Sequence, residues 1–138
     1  MIVADTNLVV YLFVASEFTE RARRVHALDT AWVFPPIAHS EAANVLATLA
    51  REKWLTQETA CGALEHIEKC IIAGMRDVSM DAALKLAIEK GISAYDAQFV
   101  VLARSLDIPL VTEDGRLKKG FPGVAFSMGA FTGRLRRE

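Results

Sequence analysis

The chain has 138 residues, and 52% of them are hydrophobic, which is enough for a sizeable core and argues against disorder. Its formal net charge of −1 argues against a protein that coats nucleic acid through overall basicity, though not against a local basic patch. No apolar run reaches the roughly 20 residues of a membrane span, and the first residues lack the basic start of a signal peptide. Cys61 and Cys70 fall in one predicted helix about 13 Å apart, too far for a disulfide. We therefore expect a cytoplasmic protein without membrane contact.

The first strand is predicted where the apolar run Ile2–Ala4 precedes Asp5, Thr6 and Asn7, three residue types that favour the start of a helix. An apolar helix over residues 8–14 should follow. The next predicted element is a helix that Thr19 or a neighbour caps and that runs through Leu28. A strand over 32–34, ended by two prolines, follows. The next helix should begin near residues 37–40, carry Glu41 in its first turn and run to Lys53.

The second half is predicted to be helical before the chain returns to the sheet. Ser93 and Asp96 have the spacing of a helix start and precede a long apolar helix. The apolar run 108–111 then predicts a buried strand that ends in the acidic turn 112–114. Before Ser93, the sequence predicts a helix from Thr56 or Gln57 to about Gly74 and a second helix over Met80–Lys90 that Gly91 ends. After the acidic turn, it predicts a loop over 115–123, a strand over 124–126 and a tail.

Strands that alternate with helices indicate an α/β protein whose parallel sheet has helices on both faces. The sequence contains no internal repeat, low-complexity segment or linker. We therefore expect one domain that spans residues 1–138.

Four acidic residues occupy comparable positions in these elements. Asp5 and Asp114 follow predicted strands, and Glu41 and Asp96 lie in the first turns of predicted helices. Since ligands of open α/β sheets bind at the carboxyl ends of the strands, all four carboxylates can meet at that edge. Taken singly, however, each acid also suits a plain helix cap, because negative charge is favourable at a helix N-terminus.

The predicted cluster of carboxylates would need a compensating charge. Two carboxylates about 4 Å apart repel by about 4 kcal/mol at an effective dielectric constant of about 20. A divalent cation removes this repulsion. Oxygen ligands without His or Cys are typical of Mg²⁺ or Mn²⁺ rather than zinc.

Four segments, in this order and at these intervals, resemble the PIN-domain ribonucleases, specifically the VapC-like toxins of toxin–antitoxin pairs. The segments are Ile2–Asn7, Ser40–Leu46, Ser93–Ala97 and Ile108–Asp114. The resemblance covers nearly the whole chain. It implies a three-layer α/β/α fold with a short central parallel sheet, in which Asp5, Glu41, Asp96 and Asp114 hold Mg²⁺ or Mn²⁺. It also implies metal-dependent endonucleolytic cleavage of single-stranded RNA, inhibition by a small antitoxin protein, and a homodimer.

The neighbours of the acids have two possible roles each. Thr6 and Thr112 could orient a carboxylate or cap the backbone, and the same choice applies to Asn7, which matches the family's N-terminal motif. Glu113 points opposite to Asp114 on an extended chain, and the family's Thr-x-Asp pattern selects Asp114. Basic residues could contact RNA phosphates or be solvated. They are Arg116, Lys118 and Lys119 after the last acid, and Arg134, Arg136 and Arg137 in the tail.

The reaction we expect is hydrolysis, in which water attacks the phosphate in line and leaves a 5′-phosphate. No activated Ser or Cys pairing suggests a covalent intermediate. Asp5 and Asp96 are expected to be the principal metal ligands. One alternative is a non-catalytic PIN-like module that binds RNA or protein. Another is a phosphatase or receiver-like domain, although the haloacid-dehalogenase phosphatases have a second Asp where this chain has Asn7, and no glycine-rich phosphate loop is present.

Overall fold

A parallel four-stranded sheet with the strand order β2-β1-β3-β4 forms the centre of the protein, as seen in a computed structural model that describes residues 1–135. The strands are β1 (Ile2–Ala4), β2 (Trp32–Val33), β3 (Leu110–Val111) and β4 (Ala125–Phe126). The helices are α1 (Thr6–Phe13), α2 (Thr19–Leu28), α3 (Ile37–Arg51), α4 (Gln57–Gly74), α5 (Met80–Lys90), α6 (Ala94–Leu106), α7 (Gly115–Gly120) and α8 (Met128–Leu135). The predicted three-layer α/β/α class is confirmed.

Strand β1 is central because it is apolar along its whole length and fully buried. Parallel sheets of this kind are covered on both faces, so their strands lack the alternation of exposed sheets. Val3 pairs with Val33 of β2 and with Leu110 of β3, so β1 has a neighbour on each side. The residue after β1, Asp5, therefore leaves the sheet at the middle of its carboxyl edge.

The predicted helix boundaries agree with the structure where a capping residue sets them. The hydroxyl oxygen of Thr56 accepts a hydrogen bond from the Thr59 amide at 3.1 Å, and that of Ser93 accepts one from the Asp96 amide at 3.0 Å. Gly91 ends α5 with a φ of 66°, the left-handed conformation that glycine adopts without strain.

Four details of the predicted elements are wrong. Residues 115–120 form helix α7 rather than a loop, and the tail begins as helix α8. Glu41 is the fifth residue of α3 and therefore lies beyond its first turn. Phe34 does not extend β2 but forms an isolated parallel bridge with Met75. Of the predicted tail contacts, Arg136 and Arg137 lie outside the described residues.

Two findings on the described residues concern the membrane and the cysteines. No helix in this part of the chain is both long and apolar enough to cross a membrane. Cys61 and Cys70 are both free.

Gly74 lies where α4 passes beneath β2, and a larger side chain does not fit there. A Cβ at this position would stand 2.1 Å from the carbonyl oxygen of Trp32. Gly74→Ala should therefore lower the free energy of unfolding by about 1–3 kcal/mol, because the backbone must move. Gly62→Ala is the matched control on the same helix, where nothing lies within 4 Å. It should be neutral or stabilise by up to about 1 kcal/mol. Urea unfolding measures both, and equal effects would contradict this packing.

Candidate active site at the carboxyl edge of the sheet

Asp5 lies at the centre of the site, directly after β1. Its amide donates to the carbonyl of Val111, which extends the pairing of β1 with β3 by one residue. Its carboxylate accepts a hydrogen bond of 2.6 Å from the hydroxyl of Thr112. Burial raises the pKa of Asp5, and the Thr112 hydroxyl only partly offsets this rise. The first acid is thus a partly buried carboxylate held by a side chain of the neighbouring strand.

Glu41 reaches the site from α3. The hydroxyl of Thr6, which is itself buried, donates to the Glu41 carboxylate at 2.9 Å. Burial raises the pKa of Glu41, and the nearby charges of Asp5 and Asp96 raise it further. Its position in the second turn of α3 places its side chain against the start of α1, where Thr6 lies.

Asp96 lies in the first turn of α6, as predicted. Burial and the negative charge of Asp114 raise its pKa, while the hydroxyl of Ser93 and the guanidinium of Arg116 act in the opposite direction. This carboxylate therefore faces both an acid and a base of the segment that follows β3.

Asp114 caps α7, and Glu113 points elsewhere. Oδ1 of Asp114 accepts hydrogen bonds from the amides of Arg116 at 2.9 Å and Leu117 at 3.0 Å. Oε1 of Glu113 accepts from the amide of Met128 at the start of α8, and its other oxygen lies 3.6 Å from the Lys118 ammonium. The capping interpretation is thus correct for Asp114, and the cap uses only one of its two oxygens.

Three of the acids, Asp5, Glu41 and Asp96, have pKa values that respond to the charges of other acids in the set. The charges of Asp96 and Asp114 raise the pKa of Asp5, and those of Asp5 and Asp96 raise the pKa of Glu41. Within residues 1–135, however, no three His, Cys, Asp or Glu side chains are grouped tightly enough to form a complete metal-binding set. The carboxylates converge on one edge without forming a closed cage.

The neighbours of the acids differ in what they contact. Thr6 and Thr112 each donate to a carboxylate, and Thr112 also accepts from the amide of Asp114 at 3.0 Å. Asn7 is exposed and lines a groove beside the site. Among the predicted basic contacts, Arg116 and Lys119 are exposed on α7, whereas Lys118 is half-buried beside Glu113.

Sequence reasoning missed Tyr11, which lies within electrostatic range of the site. Burial raises the pKa of its phenol, and so do the charges of Asp5, Glu113 and Glu17. Its position four residues after Asn7 on a helix was a signal that could have drawn attention to it, since such residues share a face.

A parallel α/β sheet with four acids at the carboxyl ends of its strands is the arrangement of an α/β domain with an acidic site. Comparison with known proteins identifies the family to which this domain belongs. The PIN domain family model matches residues 2–120, and the chain belongs to this family. The resemblance found in the sequence is thereby confirmed.

Two curated relatives come from Pyrobaculum aerophilum. Ribonuclease VapC3 is 31% identical over 134 residues, which cover 89% of this chain and 96% of the relative. Exonuclease VapC9 is 33% identical over 82 residues, which cover 56% of this chain and 57% of the relative. The first of these matches extends over nearly all of both proteins.

Solved structures share the fold at lower sequence identity. PAE2754 from Pyrobaculum aerophilum superposes with a TM-score of 0.77 at 20% identity and covers 99% of this chain and 90% of its own. FitAcB from Neisseria gonorrhoeae gives 0.65 at 18% identity, with 94% and 99% covered. A toxin–antitoxin complex from Klebsiella pneumoniae gives 0.58 at 18% identity, with 93% and 98% covered.

Proposed function

We propose that this protein is an endoribonuclease that hydrolyses phosphodiester bonds in single-stranded RNA, and that it is the toxin of a VapBC-type toxin–antitoxin pair. The observation that supports the proposal most strongly is the convergence of Asp5, Glu41, Asp96 and Asp114, three of which have a raised pKa. Side chains that repel one another at one edge of a sheet are typical of functional sites, because folding alone does not favour them. The name of the VapC3 relative agrees with this activity.

The donor set fits a hard divalent cation, Mg²⁺ or Mn²⁺. Every candidate ligand is a carboxylate oxygen, and the nearest histidine in sequence to Glu41, His39, bonds instead to Glu68 at 2.8 Å. Mg²⁺ usually binds through one or two carboxylates and keeps several waters, rather than occupying an all-protein cage. The open arrangement of the four acids suits this kind of binding.

The acids, the two threonines and the basic residues of α7 would each have a different role in the reaction. A cation held by the four acids would lower the pKa of a bound water and offset charge on phosphate oxygens. Thr6 and Thr112 keep the carboxylates of Glu41 and Asp5 oriented through hydrogen bonds of 2.9 and 2.6 Å. Arg116, an exposed residue whose positive charge acts on Asp96, is suited to contact an RNA phosphate, with Lys119 further along α7.

An apolar groove beside the site supports the proposal of a protein inhibitor. The groove measures about 660 Å³ and runs from Asn7 along α1 to α3 and α4. Val14, Leu49 and Trp54 line it, and Trp54 is 75% exposed. Apolar surface of this kind is suited to an amphipathic segment of a small antitoxin.

Two further parts of the proposal concern assembly. Met80, Leu84 and Ile88 are spaced four residues apart on α5 and are each at least 54% exposed, which favours a homodimer through this face. We also propose that residues 1–138 form one domain, because β4 pairs with β3 and α8 packs against α2, beyond the residues that the family model matches.

An endonuclease, an exonuclease and a non-catalytic RNA-binding module differ in what they do to a circular RNA, which has no ends. One relative is named an exonuclease, and a non-catalytic PIN-like module remains the alternative of another class. Circular and linear forms of one single-stranded RNA should both be cut in Mg²⁺ or Mn²⁺, and EDTA should abolish both reactions. Gel analysis with end mapping should show 5′-phosphates. Cleavage of the linear form alone would indicate an exonuclease, and binding without cleavage at any cation concentration would indicate the module.

A further inference from the structure

Tyr11 is a side chain at the rim of the site for which the proposed function has no role so far. It lies on α1 one turn beyond Asn7, and both residues line the groove beside the acids. Its phenol is half-buried, and burial together with the nearby charges of Asp5 and Glu113 raises its pKa. A tyrosine phenol is neutral near pH 7, so Tyr11 presents an uncharged hydrogen-bond donor where a lysine or arginine would pair with the acids instead.

The aromatic ring of Tyr11 is held in place by Phe18, and its backbone by Thr19. It stacks on Phe18 with ring centroids 4.9 Å apart and an interplanar angle of 25°. The guanidinium of Arg21 lies 5.3 Å from the centroid of the Phe18 ring. The hydroxyl of Thr19 donates to the carbonyl of Tyr11 at 2.8 Å and so ties α1 to the start of α2. A ring fixed in this way presents its hydroxyl with little loss of side-chain entropy.

The phenol oxygen is the part of Tyr11 that this packing does not use. Within residues 1–135 it makes no hydrogen bond to the protein, although the ring and the backbone carbonyl are both engaged. A fixed ring with a free donor beside a set of acids is suited to bind an oxygen of the substrate rather than to stabilise the fold.

We propose that the Tyr11 hydroxyl donates a hydrogen bond to a phosphate or ribose oxygen of the nucleotide next to the bond that is cut, an inference that rests on the proposed ribonuclease function. Tyr11 thereby binds and aligns the RNA strand on the side of the site where the groove opens. Phe18 is a positioning residue that acts through the ring of Tyr11.

Tyr11→Phe tests the hydrogen bond because it keeps the ring and removes only the donor. KM for a single-stranded RNA should rise about tenfold while kcat changes less than about threefold, as expected for an interaction made equally in the ground and transition states. Ser105→Ala, which removes an exposed hydroxyl at the opposite end of α6 from Asp96, is the control and should leave the kinetics unchanged. An unchanged KM in Tyr11→Phe would overturn the proposal.

A binding measurement gives a readout that does not depend on cleavage. In an Asp96→Asn background, fluorescence anisotropy with labelled single-stranded RNA should show about tenfold weaker binding after Tyr11→Phe. Phe18→Leu should weaken binding as well, and Phe18→Trp should restore it because it restores the stack. Equal affinity of the Tyr11→Phe and parent proteins would refute the role of Tyr11 even if the nuclease proposal holds. If the wild-type protein cuts no RNA, the nuclease proposal fails and this affinity alone decides the role of Tyr11.

Discussion

Replacing Asp96 with asparagine is expected to reduce cation-dependent RNA cleavage by about 100-fold or more. The substitution keeps the shape of the side chain, but it removes a negative charge from the proposed cation site. Loss of a residue that merely orients a metal ligand already costs about 10- to 100-fold, so loss of a ligand should cost at least as much. Initial rates on a labelled single-stranded RNA, measured over a range of Mg²⁺ and Mn²⁺ concentrations, provide the test.

Asp81→Asn is the matched control for this substitution. Asp81 is also an acid in the first turn of a helix, but it lies on α5 and pairs with Lys85 at the surface. Exposed ion pairs of this kind contribute little to stability, so cleavage and folding should both be unchanged. An Asp96→Asn protein that cleaves RNA at the wild-type rate would remove the main support for the nuclease proposal.

Replacing Asp5 with asparagine is expected to abolish the stabilisation of the fold by divalent cations. A cation present at 100 times its dissociation constant stabilises a protein by about 2.7 kcal/mol, which corresponds to a rise in Tm of roughly 10 °C for a chain of this size. Asp5→Asn should lose most of this rise. In the absence of cations it should melt at a higher temperature than the wild type, because burial raises the pKa of Asp5 and so disfavours its charged form in the folded state.

The same reasoning predicts the pH dependence of the cation-free protein. The pKa values of Asp5, Glu41 and Asp96 lie above their ordinary values of 3.8, 4.5 and 3.8 in the folded state. The folded state therefore binds more protons than the unfolded state in this range, and stability is lost as pH rises through the raised values. In thermal melts, the contribution of these three groups to the Tm should increase as the pH is lowered from 7 to 4. Asp5→Asn should reduce this dependence of the Tm on pH. The cation prediction has its own contradicting outcome. If divalent cations raise the Tm of Asp5→Asn as much as that of the wild type, the cation binds somewhere other than at Asp5.

Elements that depend on local chemistry could be predicted well. The strand Ile2–Ala4 is apolar at every position, and the helix starts at Thr56 and Ser93 carry side chains that accept the first free amides. Such signals act over three or four residues, so the chain itself contains all the information that they need.

The wrong predictions concern positions where local signals compete. The loop predicted over 115–123 is wrong in its first part, because the carboxylate of Asp114 caps α7 and so supports a helix there. The start of α8 depends on Glu113, which is 15 residues before Met128 in the chain. No window of neighbouring residues contains that contact.

The sequence by itself determined the class of the fold, most of its elements and the candidate set of four acids, because periodicity, capping and motif spacing are properties of the linear chain. Only the tertiary structure decided that Thr112 holds Asp5, that Glu113 turns away to α8, and that Tyr11 stands at the rim of the site. The physical reason is that a hydrogen bond between residues 107 positions apart, or a pKa raised by burial, depends on packing between elements.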